Sequence, residues 1–462
     1  LSLQLTSISC SLKEQDMKKF LIIFFSALAA GLFQASAQVS ILPGLPEKWT
    51  LQDCIDYARK NNIQLNTLRL SSSSAEQDLL QAKAGRLPSV SASLSQNLVN
   101  GKKTDVVVGG LQSQANFSGN YGVNASVTLY NGGYIKNDIL ARQLSLQSSN
   151  LSVEEVQNDI TLDITQSFLN ILLQGETITY LEDVLATSHA QLEQGKQRFD
   201  AGAISKKDLL QFEAQTSGDE YNLVNAQNNY KQNVITLKQM LQLPTSFNFQ
   251  VAAPDTVTVK ELSPALEQAQ QAALATRPEI KNSTLNINIA QADLMKARAG
   301  TLPTISLGAG IASGYANLNP DNKYFTQLNN NFYQSLGLTV GIPIYSRRVN
   351  KTNIEKSKIA IQQAQLALAD AKTTLNSQVE QAYINMSNAQ AQYDAADKQL
   401  KAVQESYDIT NTQLRLGAVN MVDLLQQKNL YVQALQSYIQ SKYSAVLYNK
   451  IYNFYTGVPI SF

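Results

Sequence analysis

The sequence predicts a mainly α-helical protein with a membrane β-barrel, organised as two structural repeats that each run helix, two strands, long helix, turn, helix. Three observations predict it. One constant spacing links a series of landmarks in the two halves, each half holds two stretches of alternating apolar and small polar residues, and each half holds one long heptad seam.

Composition fits such a fold. The net charge of +1 supplies no global field toward nucleic acid or anionic lipid. Charged residues make up 16% of the chain, against roughly 25% in soluble domains, and Ser, Asn, Gln and Thr carry the polar load. Such a surface suits a protein with water on one side and lipid or protein on the other.

The chain opens with an address. Met17, Lys18 and Lys19 precede an apolar run from Phe20 to Leu32 and then Ala35-Ser36-Ala37, which are the charged, hydrophobic and small-residue parts of a secretory signal. The run is shorter than the ~20 residues of a membrane-spanning helix. Residues 1–37 are therefore expected to be upstream sequence and a cleaved signal, and 38–46 a short N-terminal segment. After cleavage Cys54 stands alone, so no intramolecular disulfide is expected.

The repeat is read from paired landmarks. Ala84-Gly85-Arg86-Leu87-Pro88 recurs as Ala299-Gly300-Thr301-Leu302-Pro303, and the interval from Pro88 to Pro303 then reappears at every other landmark. At that spacing Leu129-Tyr130 matches Ile344-Tyr345, Gly202-Ala203-Ile204 matches Gly417-Ala418-Val419, and Asp208-Leu209-Leu210 matches Asp423-Leu424-Leu425. Leu243-Pro244 matches Val458-Pro459. Repeats are thus expected over 47–244 and 262–459, with a connector over 245–261 and a tail over 460–462.

Each unit begins with a helix, expected over Leu51 to Gly85 in the first copy and ended by glycine and proline. Two strands follow. Val90, Ala92 and Leu94 alternate with serines, and Tyr121, Val123, Ala125, Val127 and Leu129 alternate with Gly, Asn, Ser and Thr. The second copy repeats this with Ile305, Leu307, Ala309 and Ile311, then with Leu336, Leu338, Val340, Ile342 and Ile344. Period two puts apolar side chains on one face, and runs of about ten residues match tilted membrane strands. The polar segments Asn97–Asn120 and Ser313–Asn331 are expected to be outer loops.

The long helix comes next. Asn350 to Leu416 contains neither Gly nor Pro, enough for a rod on the order of 100 Å at ~1.5 Å per residue. Leu375, Val379, Ala382, Met386, Ala389, Tyr393, Ala396, Leu400, Val403, Tyr407, Thr410 and Leu414 alternate four and three residues apart. The matching positions of the first copy run from Ile160 through Ile164, Ser167, Ile171, Leu181, Ser188 and Gly195 to Phe199. A heptad held this long predicts coiled-coil packing, and its small positions let helices approach closely. Four strands are too few to close a barrel, and a sheet in lipid must close. Several chains must then share one barrel.

No catalytic constellation stands out, no phosphate loop is present, and no metal or cofactor is expected. His189 lies in a long helix without Cys or carboxylate partners at ligand spacing, as a surface residue would.

In the order of elements, the twofold repeat, and the stretches Arg198–Ser205 with Asp208-Leu209-Leu210 and Leu414–Asn420 with Asp423-Leu424-Leu425, the chain resembles TolC-type outer-membrane efflux proteins. The resemblance implies a homotrimer with a twelve-stranded β-barrel in outer-membrane lipid, continuous with a twelve-helix α-barrel in the periplasm. It implies a passive exit duct of a tripartite efflux or type I secretion system, working with a periplasmic adaptor (membrane fusion) protein and an inner-membrane pump. Drug, metal and protein cargo remain open. The other reading of these helices is a periplasmic coiled-coil adaptor or structural stalk, which would lack lipid-facing strands.

Glycines 202 and 417 break the rods where the chain must reverse, because glycine tolerates positive φ. The resemblance makes these turns the periplasmic mouth, with adaptor contacts at Gly202, Ala203, Ile204, Ser205, Gly417, Ala418, Val419 and Asn420. Asp208 and Asp423 have two readings: carboxylates capping the returning helices, or, as the resemblance implies, an entrance gate and cation ring. The pattern departs at Val419, Leu414 and Gln426, where the family's gate residues are Arg, Tyr and Asp. Arg198, Lys207 and Arg415 are the remaining candidates for holding a closed gate.

Overall fold

In a computed structural model, residues 46, 48–104, 111–253, 263–317 and 323–460 are described. The signal expected over 1–37 lies outside the described residues, as do nearly all of 38–46, the second half of the connector and the last two residues. Contacts divide the chain into Leu1–Glu47, of which only Pro46 is described, and Lys48–Phe462. Every helix and strand among the described residues belongs to the second unit.

Strand β1 (Lys48–Trp49) leads into helix α1 (Leu51–Asn61), which starts at a capping box. Thr50 Oγ1 accepts from Asp53 N at 3.2 Å, and Asp53 Oδ2 accepts from Thr50 N at 3.0 Å. Leu51, Cys54, Ile55 and Ala58 form its buried face. The single helix predicted over 51–85 is in fact two. At Asn62 the backbone turns extended (φ −60°, ψ 127°), and its side chain accepts from Leu65 N at 3.1 Å to start α2 (Ile63–Ala84). Asparagine trades the helical ladder for this local bond, so it ends one helix and caps the next. The equivalent break falls at Arg277, between α5 (Leu266–Thr276) and α6 (Pro278–Ala299), with proline at the first helical position.

Strands β2 (Ser89–Thr104), β3 (Leu111–Asn131), β5 (Thr304–Ala316) and β6 (Tyr333–Gly341) form one antiparallel sheet in the order β2-β3-β5-β6. The short strand β4 (Gln250–Val251) pairs instead with β1, in parallel. The strand lengths differ from expectation. The hairpin β2-β3 pairs from Ser89↔Ser126 out to Thr104↔Leu111, so most of the predicted loop Asn97–Asn120 is strand. Apolar alternation marks a strand only where apolar residues keep to one face, and this outer part is mostly polar, with Leu98 and its neighbour Val99 on opposite faces. Conversely β6 stops at Gly341, short of Ile344, because Pro343 offers no N–H to the ladder.

The loop Ser313–Asn331 holds the end of β5 and a short helix, α7 (Tyr324–Asn330). The segment lies on the edge of β5 that β6 leaves free: Ala316 N donates to Gln327 Oε1 at 3.0 Å and Asn331 Nδ2 to Gly314 O at 2.6 Å.

Four helices make up the rest. The outgoing helices α3 (Tyr134–Asp200) and α8 (Val349–Arg415) have 67 residues each, and the returning helices α4 (Lys206–Met240) and α9 (Met421–Tyr455) have 35 each. At ~1.5 Å per residue the former reach about 100 Å. Every boundary of α1 to α4 recurs in α5, α6, α8 and α9 at the interval that separates Pro88 from Pro303. The seam positions Leu375, Val379, Ala382, Ala389, Ala396, Tyr407 and Thr410 are buried on α8, as are Ile164, Ile171, Leu181, Ser188 and Gly195 on α3. A core of Ala269, Ala273, Ile280, Leu375, Val379, Ala382 and Tyr452 ties α5 and α6 to α8 and α9.

Candidate functional site

Two surfaces carry the chemistry of this molecule, one on the sheet and one at the hairpin tips. On the sheet, residues paired in register share a face, so Ala92, Val123 and Ile311 lie in one row, and Val127, Leu307 and Leu338 in another. Among the described residues nothing covers this apolar face: Leu94 is 78% exposed and Leu336 77%. A half-buried soluble sheet would hide these side chains. Along β3, Tyr121 and Tyr130 bracket Val123, Ala125 and Val127 on that face. Beyond Tyr121, the rings of Phe117, Tyr315, Tyr324 and Phe325 meet edge to face in a chain, with centroids 4.7–5.7 Å apart. Among the described residues, no helix is long and apolar enough to cross a membrane.

At the tips, α3 gives way to α4 over 201–205 and α8 to α9 over 416–420. Gly202 has φ +76° and Gly417 φ +74°, the left-handed conformation that the reversal needs. Ala203 N donates to Arg198 O at 2.8 Å and Ala418 N to Gln413 O at 2.9 Å, satisfying carbonyls that the helix end leaves free. Of the eight tip residues named from the sequence, Gly202, Ala203, Ser205, Gly417, Ala418 and Asn420 are exposed, while Ile204 and Val419 are half-buried.

Both aspartates close capping boxes. Ser205 Oγ accepts from Asp208 N at 3.2 Å, and Asp208 Oδ2 accepts from Ser205 N at 3.1 Å and from its hydroxyl at 2.7 Å. Asn420 Oδ1 accepts from Asp423 N at 3.0 Å, and Asp423 Oδ2 accepts from Asn420 N at 3.3 Å. The Ser205 hydroxyl and backbone N–H hold the Asp208 carboxyl below the usual aspartate range, with Lys207 adding to this. Capping therefore accounts for both positions within one chain.

The three cations are less connected. Arg415 Nη2 donates to Thr412 Oγ1 of its own helix at 3.3 Å. Among the described residues no ion pair joins Arg198, Lys207 or Arg415 to a carboxylate. What brings the tips together is apolar: Phe212, Tyr407, Met421 and Leu424 are buried as one cluster, with Leu192, Ile204 and Leu414 packed on it. Tyr407 also stacks on Tyr431 with ring planes 5° apart and receives a hydrogen bond from Gln191 Nε2 at 3.2 Å. Sequence reading places Tyr407 in the seam but misses its tie to α3. His189 is exposed, as expected.

An uncovered apolar sheet beside paired 67-residue helices is the architecture of an outer-membrane channel. The family model described as outer membrane efflux protein matches residues 54–242 and 269–447. The chain belongs to this family, and its location is the outer membrane. It is 22% identical over 399 residues to the outer membrane efflux protein BepC of Brucella suis biovar 1, covering 86% of this chain and 83% of BepC. It is 21% identical over 443 residues to the outer membrane protein TolC of Vibrio cholerae serotype O1, covering 93% of each. A crystal structure of CusC superposes with a TM-score of 0.77 at 19% identity, covering 88% of this chain and 91% of that one, which shows a shared fold.

Proposed function

We propose that three copies of this chain form a passive exit duct: a twelve-stranded barrel in the outer membrane, continuous with a twelve-helix barrel in the periplasm. The helix boundaries that recur at one constant interval support two structural repeats within each copy. The observation that carries the reading is the sheet, whose apolar face is bare and whose edge strands β2 and β6 have no partner on their outer sides among the described residues. In lipid that face is solvated and those edges must pair, which a ring of copies achieves.

Dimensions support the membrane placement. Tyr130 follows Tyr121 by nine positions, about 30 Å of strand at ~3.4 Å per residue. With a tilt of ~40° the rise is roughly 23 Å, close to the ~25 Å apolar band between the aromatic girdles of such barrels. A periplasmic adaptor or stalk has no use for this face.

The tips, at the far end of the rods, then form the periplasmic entrance. Exposed Ala203, Ser205, Ala418 and Asn420 offer a small, neutral rim for a helical adaptor hairpin, and an inner-membrane pump supplies energy and cargo. Three copies of Asp208 and Asp423 would line this entrance with six carboxylates, which favours cations. Purified protein in planar lipid bilayers tests the duct: stepwise ion currents are expected, and a bilayer that stays silent refutes it.

A further inference from the structure

Between the two hairpins lies a charge that the channel architecture does not require. Lys428 of α9 is 2% exposed, Asp219 of α4 3% and Ser188 of α3 2%. Lys428 Nζ stands 2.9 Å from Asp219 Oδ2 and donates to Ser188 Oγ, and the Ser188 hydroxyl in turn donates to Asp219 Oδ2. The second carboxylate oxygen accepts from Gln215 Nε2 at 3.0 Å, and Thr216 Oγ1 donates to the Ser188 carbonyl at 3.4 Å. Two of the three core groups belong to the first hairpin and the third to the second.

We propose that the Lys428–Asp219–Ser188 cluster is a pin that sets the register and angle of the second hairpin against the first, and so the width of the periplasmic mouth. The inference rests on the duct reading. A buried ion pair replaced by apolar residues of similar volume often leaves a protein as stable or more so, so stability alone does not explain the presence of this one. A directional charge held by two partners in a seam instead selects one alignment out of several.

The surroundings need such a selector. Toward the tips the hairpins meet mainly through the apolar cluster around Phe212, Tyr407 and Leu424, which is non-directional apart from the hydrogen bond from Gln191 to Tyr407. Lys428 itself lines a cleft of about 200 Å³, with Tyr180, Asp183, Tyr407, Asp408 and Tyr431 around it, which leaves room for the second hairpin to shift. Any such shift must separate Lys428 from Asp219, both almost fully buried, which is a costly local step.

Single-channel recording in planar bilayers tests this with wild type, the apolar pair Lys428→Met/Asp219→Leu, and Lys428→Arg. The apolar pair should match or exceed the thermal stability of wild type, yet its current should split into several levels with several-fold greater open-channel noise. Lys428→Arg, which keeps the charge and its partner, should retain the wild-type level. A single wild-type level in the apolar pair overturns the pin. Should that pair not assemble, Ser188→Ala removes only the hydroxyl link, and wild-type noise there overturns it equally. If wild type itself never conducts, the duct reading falls and the pin's role at a mouth falls with it.

Discussion

Gly195 of α3 lies against the ring of Phe212 of α4, so closely that a Cβ added to the glycine would stand 2.6 Å from Phe212 Cδ2. Both residues are buried, and the contact sets how near the two arms of the first hairpin come above the tip. Alanine in place of glycine gains about 1 kcal/mol of helix propensity. Overpacking of this kind costs about 1–3 kcal/mol. Gly195→Ala should therefore lower the thermal unfolding midpoint of the detergent-solubilised protein, and Phe212→Leu in the same chain should restore part of the loss.

At the tips the backbone alone decides. A Cβ at Gly202 or Gly417 meets nothing within 4 Å, so only the positive φ resists substitution. Left-handed backbone costs an ordinary residue roughly 1–2 kcal/mol, and asparagine less. Gly417→Val should destabilise measurably more than Gly417→Asn in thermal melts, and equal effects would mean that the turn has rearranged.

The caps carry a pH signature. Ser205→Ala should cost about 1 kcal/mol, the usual worth of such a cap. Because Asp208 is held below its ordinary range by Ser205, it stabilises the folded chain above the unfolded aspartate range, and that contribution fades as pH falls through the folded value. Asp208→Asn should thus be less stable than wild type at neutral pH, and the gap should close below roughly pH 4.

Selectivity separates capping from a second duty of the same residues. If Asp208 and Asp423 ring the entrance, the double variant Asp208→Ala/Asp423→Ala should show reduced cation preference in reversal-potential measurements across a salt gradient. Unchanged selectivity would leave both residues as caps only.

Much of this is legible in the chain, for identifiable reasons. The rods are legible because a heptad seam such as Leu375, Val379 and Ala382 repeats a geometric constraint many times over. The tips are legible because Gly202 and Gly417 interrupt those rods. The break at Asn62 is not, since an asparagine inside a polar helical stretch looks the same whether it faces water or caps. The outer half of β2-β3 is hidden because a mostly polar hairpin, with its few apolar residues split between faces, leaves no alternation to read. Pairings across hairpins, Gln191 with Tyr407 and Lys428 with Asp219, depend on helices far apart in sequence. The one local hint is a lysine four residues after buried Leu424, on the face meant for the seam.

Closure of the sheet between copies is the claim on which the duct stands, and cross-linking addresses it directly. In a Cys54→Ser background, one cysteine at Ser91 of β2 is combined with a cysteine scanned along β6 from Ser335 to Gly341, and the protein is oxidised in isolated outer membranes. Dimer and trimer bands peaking at one position of the scan are predicted, since β6 of one copy must then pair with β2 of the next. A chain that remains monomeric at every position would contradict a barrel shared between copies.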